Sequence, residues 1–283
     1  MDETRTLVLG CMAGATILLG LPLGRLRTPR VAFRQFLNSL AIGILVFLIW
    51  DVLAHAYVPL DKALANLHGG AGGAWPVVGY ASLFLGGIAM GLLSLAYYER
   101  WLTARGRPYH YPPGSMAVAE VKAARLGLSG WSPARRLALL IATGIGLHNF
   151  GEGLAIGASA ARGAIGLATV LVIGFALHNA TEGFGIVAPL AVDGEHPSWR
   201  FLLLMGAIGG GPTLVGTIVG RQFTSAAVST LFLSLAAGSI LYVVIQLLGV
   251  ARKMGRMEVV YWGVLAGLAA GFVTDMVVTA GGG

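Results

Sequence analysis

Charged residues are scarce in this sequence, and their scarcity excludes most soluble folds. Only 11% of the 283 residues are charged, whereas 56% are hydrophobic and the mean hydropathy is +0.79. Soluble domains carry about a quarter charged residues. Because the apolar runs are continuous rather than alternating, they predict helices and not a membrane barrel. We therefore expect an all-α, polytopic membrane helix bundle.

Cysteine is almost absent, and the basic residues form no concentrated patch. Cys11 is the only cysteine, so an intramolecular disulfide framework is excluded. The pI near 9.9 would fit a nucleic-acid partner, but the Lys and Arg residues lie in loops between apolar runs and not on one soluble segment. The expected surroundings are therefore a lipid bilayer, with no nucleic acid.

Eight apolar segments are present, each about 18–26 residues long and so able to cross the bilayer as a helix. Together they predict one transmembrane domain over residues 1–283. The first segment lacks a positively charged leader, because Asp2 and Glu3 precede it, so we expect it to remain as a helix. The predicted spans are roughly 6–23, 36–58, 76–98, 137–161, 164–189, 200–219, 225–249 and 259–279.

The distribution of basic residues predicts the orientation. Of the 19 Lys and Arg residues, 15 fall in loops on one side of the eight spans and 4 on the other. By the positive-inside rule the richer side is cytoplasmic, so both termini lie outside a cytoplasmic (inner) membrane. The long loop 99–136, with its proline-rich stretch at 108–113, is then a cytoplasmic tether or regulatory loop. At its end Ser132 and Pro133 predict the start of the fourth helix.

Few ionisable residues lie within the predicted spans, and apart from Arg200, the first residue of the sixth span, none is lysine or arginine. A charge near the centre of a membrane helix costs roughly 2.5–3.5 kcal/mol on insertion scales. Acids and imidazoles without an internal cation therefore suggest that a bound ion supplies the positive charge. The set is Asp51 and His55 in the second span, His148 and Glu152 in the fourth, His178 and Glu182 in the fifth, and Asp275 in the eighth.

A repeated motif is the strongest signal in the sequence. Residues 147–153 read Leu-His-Asn-Phe-Gly-Glu-Gly, and residues 177–183 read Leu-His-Asn-Ala-Thr-Glu-Gly. His and Glu four residues apart share one helix face, and a short turn near Arg162 makes the two helices an antiparallel hairpin. Both motifs then lie roughly 20 Å from that turn, near mid-membrane. We predict that they meet.

The ligand types indicate a divalent metal. Histidine, glutamate and asparagine ligands suit zinc, iron, manganese or cobalt better than calcium or copper(I). The competing interpretation is a structural network of hydrogen-bonded His and Glu side chains. The predicted ligands are His148, Asn149, Glu152, His178, Asn179 and Glu182.

Two other classes of protein share some of these features with a metal transporter. An intramembrane metalloenzyme also places paired His and Glu on facing helices, but the His-Glu-x-x-His string of zinc peptidases does not occur. An ion-coupled solute carrier would use the carboxylates as relays, although the lack of intramembrane Lys or Arg argues against an anionic substrate. The sequence thus favours a transporter that is not an enzyme.

The two motifs make the sequence resemble the ZIP family of metal transporters, and in particular the bacterial ZIP zinc-uptake proteins. That family carries His-Asn-x-Pro-Glu-Gly in the fourth and fifth of eight helices. The resemblance implies that the six predicted ligands line a transport site for zinc or a similar ion, which moves to the cytoplasm by alternating access. It also implies an entrance role for Asp51, with His55 beside it, although a structural hydrogen-bonded pair is the alternative. A homodimer is left open.

The sequence departs from the family's pattern at three positions. Gly151 and Thr181 replace the motif prolines, which makes a kink in those helices less certain. Gly211 stands before Pro212 where the family has glutamate. We interpret this as the loss of a bridging carboxylate, which predicts one main ion rather than two.

Overall fold

The computed structural model describes residues 3–25, 31–105, 131–161, 165–222 and 225–280, and it is all-helical there, as predicted. A short 3₁₀ turn, Leu21–Arg25, follows the second helix. Residues 106–130, which include His110 of the predicted loop, lie outside the described residues, as does Arg162. In chain order the α-helices are α1 (Glu3–Ala15), α2 (Ile17–Gly20), α3 (Val31–His68), α4 (Ala74–Arg105), α5 (Pro133–Ala161), α6 (Ile165–Val192), α7 (Trp199–Gly220), α8 (Ala226–Met254) and α9 (Met257–Ala280).

Most of these helices are long and apolar enough to cross a membrane. Seven segments of the described part meet that requirement by length and composition, the first of them formed by α1, α2 and the 3₁₀ turn together. The remaining predicted span corresponds to α6, which has 28 residues. Many large apolar side chains point outward, among them Trp262 at 69% exposure, as expected where lipid replaces water. The chain is a multi-pass membrane protein.

Local signals in the sequence account for several helix ends. Ser132 caps α5 as predicted, since its hydroxyl accepts a hydrogen bond from the Arg135 amide at 3.2 Å. Ser198 caps α7 in the same way through the Phe201 amide. Gly255, at φ 87°, ends α8 in a left-handed conformation that favours glycine. The turn to α9 follows directly.

The helices form two bundles. One, here called the motif bundle, contains α1, α2, α5, α6 and α7, and the closest pairing within it joins α5 to α7. The second bundle contains α3, α4, α8 and α9, in which α3 pairs with α9 and α4 with α8. The two bundles meet where α5 and α6 pack against α8 and α3. Each repeated motif thus lies at the boundary between the bundles.

Inside each bundle, glycines bring helix backbones into direct contact. A Cβ atom added at Gly14 of α1 would overlap the carbonyl oxygen of Gly210 in α7, and one at Gly153 of α5 would overlap the carbonyl oxygen of Thr213 in α7. Small residues allow this close approach between membrane helices. The second bundle makes the same kind of backbone contact at Gly43, Gly91, Gly238 and Gly267.

Between the bundles the glycine contacts are mainly with side chains, and the tightest is at Gly144 of α5, where an added Cβ would overlap the Val243 side chain of α8. A Cβ at Gly151 of α5 would lie 3.4 Å from the Cβ of Ala236 in α8, which is ordinary van der Waals contact. A Cβ at Gly185 of α6 would first meet the Leu247 side chain of α8, at 3.3 Å. A hydrogen bond also crosses the interface: Arg34 Nη1 of α3 donates to the Ala191 carbonyl of α6 at 3.0 Å.

Candidate metal site

The two motifs meet, as the sequence predicts. His148 and Glu152 of α5 face His178 and Glu182 of α6, and all four are buried, at 1%, 5%, 8% and 1% exposure. Glu152 Oε1 lies 3.0 Å from His148 Nε2 and 2.5 Å from His178 Nε2. Glu182 Oε1 lies 3.8 Å from His148 Nε2. About one helical turn of α5 and one of α6 therefore build a single cluster.

Three members of this cluster are spaced as metal ligands would be. One ligand atom each from His148, Glu152 and His178 can be chosen so that all lie within 4.8 Å of one another. An imidazole nitrogen and a carboxylate oxygen each bind zinc at roughly 2.0–2.2 Å, so atoms this close can surround one ion. Small side-chain rotations would bring the Glu182 carboxylate, which already approaches His148, into the same shell.

Several buried polar atoms of the cluster have no hydrogen-bond partner among the described residues. Buried carboxylate oxygens without a donor or a cation are energetically expensive. The buried polar residues of the described part include no lysine or arginine that could neutralise them. The unpartnered atoms are His148 Nδ1, Glu152 Oε2, both carboxylate oxygens of Glu182, and the side-chain oxygens of Asn149 and Asn179. Almost all are acceptors, so a cation fits them better than further donors.

The two motif asparagines bind to neighbouring helices through their amide nitrogens. Asn149 Nδ2 donates to the Gly209 carbonyl of α7 at 2.9 Å. Asn179 Nδ2 donates to the Ala13 carbonyl of α1 at 3.0 Å. Both side chains are fully buried. Each oxygen therefore remains available while the nitrogen is fixed.

The positions that carry proline in the ZIP pattern do not interrupt the helices. α5 is continuous through Gly151 and α6 is continuous through Thr181. The Thr181 hydroxyl donates to the His178 carbonyl at 2.6 Å, so it adds a hydrogen bond to the backbone that presents this ligand. The sequence leaves a kink uncertain, and the structure has unbroken helix at both positions.

Asp51 and His55 form a pair with each other outside the buried metal-ligand group, and Asp51 also lies within electrostatic range of the His178 ring. His55 Nδ1 lies 3.3 Å from Asp51 Oδ1, with side chains 69% and 27% exposed, respectively. The same ring nitrogen also lies 2.9 Å from the Asp51 carbonyl oxygen. Asp275 of α9 is half-buried and lies within electrostatic range of the His55 ring. These groups form an exposed polar patch.

Gly211 does not face the cluster. It is exposed and shares one face of α7 with Leu204, Val215 and Ile218, three outward-pointing apolar residues. A Cβ at Gly211 would meet no atom within 4 Å. A carboxylate there would project away from α5, so the interpretation of Gly211 as a lost bridging ligand is wrong for this packing.

Glu99 is a half-buried polar group within a helix that sequence reasoning missed. It lies inside α4, where its Oε2 accepts hydrogen bonds from Tyr242 Oη at 3.0 Å and from Gln246 Nε2 at 2.7 Å. The third span was predicted to end at residue 98, which put Glu99 in the loop. Leu95 and Leu102, both buried and at helical spacing around it, are the signal that could have placed Glu99 in the helix.

Together, the membrane bundle and the buried His/Glu cluster define a polytopic membrane protein with a candidate site for a metal ion. The family model described as ZIP zinc transporter matches residues 121–271, which is more than half of the chain and includes both motifs. The chain therefore belongs to the ZIP family, a family of divalent metal transporters, which fits the prediction that it is not an enzyme. Among curated proteins no sequence matches it significantly.

Proposed function

We propose that the protein carries zinc across the cytoplasmic membrane into the cytoplasm, with iron, manganese, cobalt and cadmium as alternative substrates. The single observation that carries this proposal is the buried cluster, in which two carboxylates and two imidazoles meet without a buried lysine or arginine. The transported ion would be held by six residues: His148, Asn149, Glu152, His178, Asn179 and Glu182.

The chemistry of these ligands sets the conditions for binding. The imidazoles must be neutral and the carboxylates ionised for the ion to bind. The ion would also give a partner to the oxygens of Glu152 and Glu182 that have no hydrogen bond. Because the ion and the two carboxylates neutralise one another, the loaded site costs less to bury than the carboxylates alone.

The proposed transport step is alternating access, in which the motif bundle moves relative to the second bundle. Support comes from the contrast between tight backbone contacts inside the bundles and side-chain contacts between them. The Arg34 to Ala191 hydrogen bond is a polar contact that such a movement would break. With both termini outside, Asp51 and His55 lie toward the outer surface, where they would attract the ion at an entrance.

The decisive experiment is metal flux into proteoliposomes. Purified protein would be tested with zinc, iron, manganese and cadmium beside a His148→Ala, Glu182→Ala double variant. A matched control, His68→Ala with Glu258→Ala, also removes one His and one Glu, but from exposed positions. We expect the first variant to lose flux and the control to retain it. Equal flux from both variants, or no metal binding by folded wild-type protein, would overturn the proposed function.

A further inference from the structure

We infer that the two motif asparagines are positioning residues that fasten the metal-bearing helices to α7 and α1. Asn149 links α5 to α7 and Asn179 links α6 to α1, in each case through a side-chain NH₂ that donates to a backbone carbonyl. This inference rests on the proposed function. It assigns two roles to these residues: they line the metal site, and they keep its helices attached to α7 and α1 when the site moves.

The acceptor carbonyls lie where the partner helices are irregular. The first span is interrupted at Thr16, and the Ala13 carbonyl there also receives the Thr16 hydroxyl at 2.6 Å. Gly209 lies next to Ile208, whose carbonyl lacks its usual helical donor because Pro212 has no backbone N–H. Each asparagine thus adds a hydrogen bond at, or next to, an irregular point of its partner helix.

The links coincide with the closest helix contacts in the motif bundle. Gly14, next to Ala13, packs directly on the backbone of Gly210, next to Gly209. The two asparagines therefore bind adjacent parts of one crossing between α1 and α7. As a result α5, α6, α1 and α7 are joined through a single region at the depth of the motifs.

The second bundle uses the same kind of link in a place that has no metal ligands. Asn38 Nδ2 of α3 donates to the Leu247 carbonyl of α8 at 3.2 Å, and Gln35 Nε2 donates to the Ala251 carbonyl at 3.2 Å. Their side-chain oxygens are likewise unpartnered. Carboxamide side chains therefore join helices in both bundles, including at a place without metal ligands.

A membrane helix pair gains from such a link because a buried carbonyl and a buried amide otherwise lack partners. Asparagine also differs from aspartate in a useful way: aspartate keeps a metal-binding oxygen but loses the donor. An ionised aspartate would in addition repel the carbonyl oxygen that asparagine binds. The substitution therefore separates a ligand role from a positioning role.

The test compares Asn149→Asp and Asn179→Asp with wild type, and with Asn38→Asp as the matched control from the second bundle. Amide hydrogen exchange is measured in detergent, with zinc affinity and zinc flux measured on the same preparations. We expect exchange to rise on the order of tenfold around Gly209 for Asn149→Asp and around Ala13 for Asn179→Asp. The Asn38→Asp control should raise exchange near Leu247 and leave α1 and α7 unchanged.

Transport supplies the second readout. We expect both motif variants to bind zinc at least as tightly as wild type, while maximal flux falls on the order of tenfold without a higher KM. Unchanged exchange in α1 and α7, or full maximal flux from both variants, would overturn the inference and leave a ligand role alone. If wild-type protein neither binds nor transports zinc, the proposed function fails, whereas the exchange pattern still decides whether the links exist.

Discussion

The contacts inside each bundle differ from the contacts between the bundles. Inside, glycines allow helix backbones to touch, and carboxamide side chains join neighbouring helices. Between them, the glycines of α5 and α6 contact mainly apolar side chains of α8 and not its backbone. Helices whose backbones touch resist separation, whereas a surface formed mainly by side chains can slip at lower cost. The metal cluster lies in the motif bundle, on the two helices, α5 and α6, that contact the second bundle.

The largest effect should follow from disturbing a backbone contact inside the motif bundle. In Gly153→Val the new side chain would overlap the Thr213 carbonyl, so α5 and α7 must separate, which should cost about 3 kcal/mol or more. Gly151→Ala, two residues away but facing the second bundle, should change stability by less than about 1 kcal/mol. Thermal unfolding of the two variants in detergent checks the difference. Equal destabilisation would remove the distinction between the two kinds of contact.

The meeting of the motifs was predictable because it depends on local rules. Helical spacing places His148 beside Glu152, and a short turn fixes the depth of the second motif. The outward direction of Gly211 was not predictable, since which face of α7 is buried depends on how α1 and α5 pack against it. The same reason hides the links of Asn149 and Asn179, whose acceptors are backbone carbonyls with no sequence signature.

Lowering the pH should distinguish the polar cores of the two bundles. Protonated imidazoles cannot bind a metal, so zinc affinity should fall by at least about tenfold between about pH 7.5 and pH 5.5. The amide links of Asn38 and Gln35 contain no titrating group. The protection factors near Leu247, which correct for the pH dependence of intrinsic amide exchange, should therefore not change. Zinc titrations and exchange measurements at both pH values test this pair of outcomes. Affinity that stays flat over the range would count against His148 and His178 as ligands.

A smaller effect is expected at the exposed pair in the second bundle. In Asp51→Asn the carboxylate that lies beside His55 is neutralised, which reduces attraction of a cation at the proposed entrance. We expect KM for zinc flux to rise roughly threefold, with maximal flux and equilibrium affinity at the buried site unchanged. Flux measured at low and at moderate ionic strength is the check, because salt should diminish the difference. An equal loss of maximal flux would instead place Asp51 within the transport site itself.

The smallest effect should come from the hydrogen bond that crosses between the bundles. Arg34 of α3 donates to the carbonyl of Ala191 near the end of α6, where a positive charge also interacts favourably with the helix dipole. Arg34→Gln should therefore raise hydrogen exchange in the last turn of α6 by roughly threefold, while zinc affinity stays the same. Arg34→Lys, which keeps the charge, should show a smaller change. If Arg34→Gln weakened zinc binding as strongly as a ligand substitution, the two bundles would be coupled too tightly to move as separate bodies.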